Sequence, residues 1–229
     1  MPHIGGGCGE TMRVFDFDGT IYKGESLFDL YLFSVRYEPR VLKYIAPVAQ
    51  CGIRYKTGHA ELQTMERKLG RIIRRYLQDI DSSKRVARLR GSNPSPTVPS
   101  KRGGDPVVTS HAGLDALSEA FWNRKFHKIK DWYQPQPDDV IVTASFDLTV
   151  GEACRRLGIR HLIASTIDPD TLEISHLNFR TNKAKRFREI YGPDAVIDEF
   201  YTDSYHDQSM IDMARTAYLV KGNRLIRIK

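Results

Sequence analysis

Apolar and polar positions along the chain follow two rhythms. Met12-Arg13-Val14-Phe15-Asp16-Phe17-Asp18 alternates, which puts Phe15 and Phe17 on one face of an extended segment and Asp16 and Asp18 on the other. This predicts a short strand from Arg13 to Phe17. From Leu27 to about Lys130 the rhythm is helical. Leu62, Met65, Leu69, Ile72, Ile73, Tyr76 and Leu77 recur at helix spacing, with Arg and Glu between them. A second helix is expected from about Leu114 to Tyr133, carrying Leu117, Phe121, Trp122, Phe126 and Ile129. Ser82 to Gly113, rich in Ser, Pro, Gly and basic residues, has no sustained period and reads as a flexible insertion.

The pattern changes at Asp138. Val140-Ile141-Val142 is a continuous apolar run, as a strand buried on both faces would be. A helix from about Asp147 to Leu157 stops at Gly158, and His161-Leu162-Ile163-Ala164 reads as the next strand. Asp168-Pro169-Asp170-Thr171 marks a hairpin turn, and Asn182 to Tyr191 a helix. Phe200-Tyr201-Thr202 and Ala217-Tyr218-Leu219-Val220 are strands, with a helix between them from about Gln208 to Arg215. Alternating strands and helices predict an α/β fold, an open parallel sheet with helices on both faces. The strand at Arg13 needs partners, so it joins that sheet, and the helical region is an insertion after it.

Composition narrows the class. The three cysteines, Cys8, Cys51 and Cys154, form no Cys-x-x-Cys pair, which argues against a disulfide framework or a zinc site and for a reducing, cytoplasmic compartment. The most apolar region, Leu27 to Ile53, is interrupted by charges and two prolines, so no transmembrane segment is expected. Residues 1–11 read as a disordered leader rather than a signal peptide, and Met12 is an alternative start to Met1. The net charge of +7 suits an anionic substrate. A nucleic-acid binder using Lys84, Arg85, Arg88, Arg90, Lys101 and Arg102 would rest on composition alone, and a solvated loop explains the same residues. No nucleic-acid partner is expected.

In open α/β sheets ligands bind at the carboxyl ends of the strands. Here those ends carry Asp16 and Asp18, then Thr143-Ala144-Ser145, then Asp203-Ser204-Tyr205-His206-Asp207, while one helix opens on Asn182-Lys183-Ala184-Lys185. Taken singly, Thr143 and Ser145 are helix caps, Lys183 a solvated helix residue, and Asp203 and Asp207 first-turn acids. Converging on one cleft, the acids would hold Mg²⁺ and the hydroxyl and lysine would hold phosphoryl oxygens.

In this order the four elements resemble the haloacid dehalogenase-like (HAD) superfamily, in particular its phosphoserine-phosphatase-like branch. The resemblance covers Arg13 to Thr20 and Asp138 to about Leu225. It implies a Rossmann-like three-layer α/β/α core from residues 12–21 and 138–229. A helical cap would come from residues 22–137, with the flexible insertion at about 82–113. It implies Asp16 as the nucleophile that forms an aspartyl-phosphate, and Asp18 as general acid and then base. Asp16, the main-chain carbonyl of Asp18, and Asp203 would bind Mg²⁺, supported by Asp207. Thr143, Ala144 and Ser145 would bind the phosphoryl group, and Lys183, or alternatively Lys185, would neutralise charge. An acid at Asp18 favours phosphate esters over halides or phosphonates. The Thr-Ala-Ser stretch differs from the Ser-Gly-Gly of phosphoserine phosphatases. The expected activity is hydrolysis of a small-molecule phosphate monoester. The alternatives are a phosphotransferase, a lipid-phosphate phosphatase, or a phosphate-binding module without turnover.

Overall fold

The computed structural model describes residues 11–57, 62–89 and 112–229. Its centre is a seven-stranded sheet in the order β4-β3-β2-β1-β5-β6-β7. The strands are β1 (Arg13–Phe15), β2 (Val140–Phe146), β3 (His161–Ile167), β4 (Ile174–His176), β5 (Ile197–Thr202), β6 (Ala214–Lys221) and β7 (Arg224–Arg227). The inner five run parallel, while β4 and β7 close the edges antiparallel.

Strand alternation divides the core between the two sheet faces. Val14, Val140, Val142 and Phe200 pack against Phe187 and Met210, from α7 (Thr181–Tyr191) and α8 (Gln208–Ile211). Phe15, Ile141 and Tyr201 face the other way, in a cluster with Trp122 of α5 (Ala112–Lys125) and Val150 of α6 (Asp147–Leu157). This is the three-layer α/β/α arrangement the alternation predicts. Trp122 also ties its layer to the sheet's crossover, donating its Nε1–H to the Thr149 carbonyl at 2.7 Å.

Between β1 and β2 lie α1 (Ser26–Ser34), a 3-10 turn at Pro39–Tyr44, α2 (Ile45–Lys56), α3 (Leu62–Asp81), α4 (Lys84–Ala87) and α5. The chain leaves the sheet and returns to it through a narrow neck. Lys23 N–H donates to the Lys128 carbonyl, and Lys130 N–H to the Ile21 carbonyl, each at 2.8 Å. Tyr22 and Ile129 thereby pair antiparallel, and the Lys128 ammonium bonds Asp29 of α1.

Three expectations need correction. Ser82 to Gly113 is not structureless throughout. Ser83 accepts the Val86 N–H at the start of α4, and Val86 is fully buried, because one apolar residue at the right phase is enough to dock a single turn. Residues 90–111 of that stretch lie outside the described residues, as do Cys8 and residues 1–10. The helix expected to reach Tyr133 ends at Lys125, since the neck needs Lys128 to Lys130 extended. The helix expected to reach Arg215 ends at Ile211, because Ala214 already pairs with Ile197 in the sheet. Cys51 and Cys154 are free thiols. Among the described residues no helix is long and apolar enough to cross a membrane.

Candidate active site

The chain runs from β1 to β2 and β3 on one side of β1, and reaches β5 and β6 on the other. The carboxyl ends of β1, β2 and β5 therefore meet where the strand order reverses, the place in such sheets where a crevice forms. Asp16 follows β1 directly and keeps the ladder, its N–H donating to the Tyr201 carbonyl at 2.9 Å.

Lys183 decides the arrangement. Its Nζ donates to Asp16 Oδ1 at 2.9 Å and lies 2.8 Å from Asp207 Oδ1. All three groups are buried. Lys183 and Phe187 share the inward face of α7, whereas Lys185 is exposed on the outward one. The connection from Asn178 into α7 is short, and Arg180 closes it in a backbone conformation unusual for a side-chain-bearing residue, φ 52° and ψ −121°. Such a residue costs about 1–3 kcal/mol; here it turns the first helical residues toward Asp16. Asn178, fully buried, fixes the approach, donating its amide to the Thr143 and Ile163 carbonyls at 2.9 and 3.0 Å.

Asp18 has different neighbours. One oxygen accepts the Ser26 N–H at 2.6 Å and the other accepts the Ser145 hydroxyl at 2.5 Å. Ser145 and Thr143 thus do not cap α6, whose first turn begins after Phe146 without a side-chain cap. The Thr143 hydroxyl, buried, accepts the Ser145 N–H at 3.1 Å. Ala144 lends its carbonyl to Ser165. Asp207 likewise caps nothing; besides Lys183 it accepts the Thr202 hydroxyl at 2.9 Å. His206 is exposed and its side chain takes no part in these bonds.

Asp203 is half-buried against the backbone of Gly19. A Cβ placed on Gly19 would lie 2.1 Å from Asp203 Oδ2, and Gly19 has φ +72°, so the residue after Asp18 must be glycine for Asp203 to stand there. Lys130 donates from its ammonium to the Gly19 carbonyl, which binds the neck to the same loop.

Charge is unbalanced. Burial chiefly holds the Asp16 carboxyl above the ordinary carboxylate range; Asp207 and Asp18 add to this and Lys183 offsets only part of it. Burial also raises Asp18, against the Ser145 and Ser26 bonds, and raises Asp203, with help from Asp207. Burial works to discharge Lys183, but Asp16 and Asp207 outweigh it and keep its ammonium firmly protonated. Asp16, Asp18, Asp203 and Asp207, with Glu25 near them, thus outnumber the two ammonium groups of Lys183 and Lys130. That is the environment a hard divalent cation relieves. Among the described residues no three His, Cys, Asp or Glu side chains gather as a metal-binding group. With the Asp18 side chain committed to serines, a cation here would rely on Asp16, Asp203 and main-chain oxygen.

The chain matches the family of haloacid dehalogenase-like hydrolases over residues 14–212. It belongs to that family. This haloacid dehalogenase-like hydrolase is similar to several solved structures. One is a protein of unknown function from Bordetella pertussis Tohama I, at 15% identity over 89% of this chain and 87% of that one, with a TM-score of 0.46. A phosphoserine phosphohydrolase-like protein from Francisella tularensis subsp. tularensis SCHU S4 is 17% identical over 91% and 86%, with a TM-score of 0.44. A HAD family hydrolase from Salmonella enterica subsp. enterica serovar Typhi is 12% identical over 89% of this chain and 60% of that one, with a TM-score of 0.48. No curated protein matches this hydrolase.

Sequence reasoning missed several residues around the aspartates: Ser26, which supplies the N–H to Asp18; Glu25 beside it; and the grip of Lys130 on Gly19. The carboxyl of Glu25 is raised by burial and by Asp18 and Asp203, which places it in the same field. The available signal was Gly24, at φ +116° and accepting the Gly19 N–H at its carbonyl, which folds Glu25 and Ser26 back over Asp18.

Because Lys183 is buried between two carboxylates and Lys185 is exposed, the two lysines are expected to behave very differently. Lys183→Ala leaves Asp16 and Asp207 facing each other unpaired, a loss of about 3–5 kcal/mol for a buried pair, and hydrolysis falls by roughly 10²-fold or more. Lys185→Ala stays within about 0.5 kcal/mol of the native protein. Thermal melts and activities measured side by side check this, and the opposite ranking would move the role to Lys185.

Proposed function

We propose that the protein is a Mg²⁺-dependent phosphatase that hydrolyses a phosphate monoester through an aspartyl-phosphate on Asp16. One observation carries the reading. Two aspartates two residues apart sit in separate environments, Asp16 on the Lys183 ammonium and Asp18 on Ser26 and Ser145. Neighbouring carboxyls held apart in this way suit two roles, nucleophile and proton carrier.

Asp16 attacks phosphorus with a carboxylate oxygen, and the ester oxygen leaves with a proton from Asp18. Asp18, now ionised, takes a proton from water, which attacks the aspartyl-phosphate and releases phosphate. Lys183, kept cationic by its two acids, neutralises charge on Asp16 and on the transferring oxygens. Thr143 and the main chain through Ala144 and Ser145 orient the phosphoryl group. Asp16, Asp203 and the Asp18 carbonyl would hold Mg²⁺, with Asp207 steadying the lysine; when bound, the cation offsets negative charge on the phosphate. The helical segment, residues 22–137, acts as a cap over this crevice.

Phosphate release from a panel of phosphomonoesters tests the proposal. Activity is expected to vanish in EDTA and return with Mg²⁺. Ca²⁺ restores it poorly, because its larger, looser shell disturbs the line of attack. Full turnover in exhaustively chelated buffer would remove the metal from the scheme.

A further inference from the structure

A cavity of about 590 Å³ is lined in part by Glu25 and Ala144, whose chain neighbours Ser26 and Ser145 hold Asp18. It lies between α1, α2 and α3 on one side and β2, α6 and the β3–β4 hairpin on the other. Glu25 adjoins Ser26, whose N–H holds Asp18, and Ala144 lies between Thr143 and Ser145. The cavity therefore begins where the organic group of a phosphate ester would leave the phosphoryl site.

The wall beyond is hydrocarbon. Leu30, Leu69, Ile72, Ile73 and Leu77 line it, and Phe28, Ile45 and Val48 stand toward its mouth, 53%, 45% and 42% exposed. Its tyrosines turn their hydroxyls away: Tyr31 donates to the Val41 carbonyl, Tyr44 to Asp79 and Tyr76 to Ser34. Only their rings remain for an occupant. Among the described lining residues Glu25 is the one charged side chain, and no Lys, Arg or His faces the space. An amino-acid phosphate would bring a carboxylate into this cavity with no cation among the described lining residues to receive it, and the Glu25 carboxylate already there. The volume falls in the range of about 300–1,000 Å³ typical of sites that bury most of a ligand.

We propose that the substrate is an amphiphilic phosphomonoester whose phosphate sits at Asp16 and whose extended hydrocarbon chain fills this cavity. The inference rests on the phosphatase reading and specifies its substrate class. It divides the aromatic residues of the helical segment into two groups. Phe33 is buried against Phe121 and packs with Tyr37, so both are structural. Phe28, Tyr31 and Tyr44 line the cavity and meet the chain.

The test is a homologous series of straight-chain alkyl phosphates from ethyl to decyl, kept below micelle formation, in Mg²⁺ buffer, with O-phosphoserine as the polar comparator. Affinities of the matching alkylphosphonates, which carry no ester bond to cleave, are measured in parallel. Each buried methylene is expected to raise kcat/KM and tighten Kd about fourfold until the cavity is filled. Val48→Trp, which narrows the outer end, is expected to move that plateau to a shorter chain. A rise in both series with the shift in Val48→Trp establishes the inference. Phosphate release that is flat with chain length, or fastest with O-phosphoserine, overturns it and leaves the phosphatase standing. Alkylphosphonates that tighten with length while no ester is hydrolysed would keep the ligand class and overturn the phosphatase instead. A length dependence unchanged in Val48→Trp places the chain outside this cavity and sinks the inference.

Discussion

Asp16→Asn protein is expected to release phosphate roughly 10³-fold more slowly than the native enzyme, or not at all, and to remain folded. An amide does not attack phosphorus and is a poor ligand for a hard cation. The side chain at this position is buried and shares one lysine with Asp207. Its carboxyl is raised in the folded state, so ionised Asp16 weakens the fold: the contribution of this one group is greatest at acid pH and is lost as pH rises through the folded value. Asparagine removes that penalty. The thermal midpoint of the variant at pH 8 is therefore expected to equal or exceed that of the native protein, since function, not stability, requires the acid. Calorimetry and phosphate release on the same sample check both halves. Native turnover by the variant would end the nucleophile assignment; lost turnover with a collapsed midpoint would show that Asp16 is structural.

Gly19→Ala is expected to be nearly as damaging without touching an acid. The added methyl would sit 2.1 Å from Asp203 Oδ2 and 2.5 Å from its Cγ, at φ +72°. The left-handed backbone costs about 1–2 kcal/mol, which for a chain of this size is a drop of roughly 2–8 °C in midpoint. Asp203 must also swing aside. A displacement of that size near a reacting centre costs about 10²-fold, and the Mg²⁺ concentration needed for half-activity rises with it. A Mg²⁺ titration of the variant gives the answer. An unchanged titration would show that Asp203 does not act from the position it occupies.

Most of the sheet was legible because its inner strands are buried on both faces, so Val140 to Val142 and Phe200 to Thr202 show as apolar runs. Asp16, Asp18 and Asp203 were legible because carboxylates at strand ends have little packing value. The choice between Lys183 and Lys185 follows from helical phase: Lys183 is one turn from Phe187, which is buried. Contacts made by backbone atoms were not legible. The N–H of Ser26 on Asp18 and the carbonyl of Gly19 on Lys130 leave no trace in residue type. The ends of α5 and α8 were overrun because amphipathic spacing continues past the residue where sheet pairing or the neck takes over. Val86 was missed because a single apolar residue carries no period.

The neck formed by Ile21–Lys23 and Lys128–Lys130 has a consequence for descent. The hydrocarbon wall comes mostly from α1 to α3, which hang from the sheet by that clasp, while the two aspartates follow β1. Substitutions in those helices reshape the wall without entering the segment that carries Asp16. Glu25, Ser26 and Lys130 reach from the helical segment to the loop that carries the aspartates. Lineages carrying this fold are free to change what they hydrolyse long before they change how.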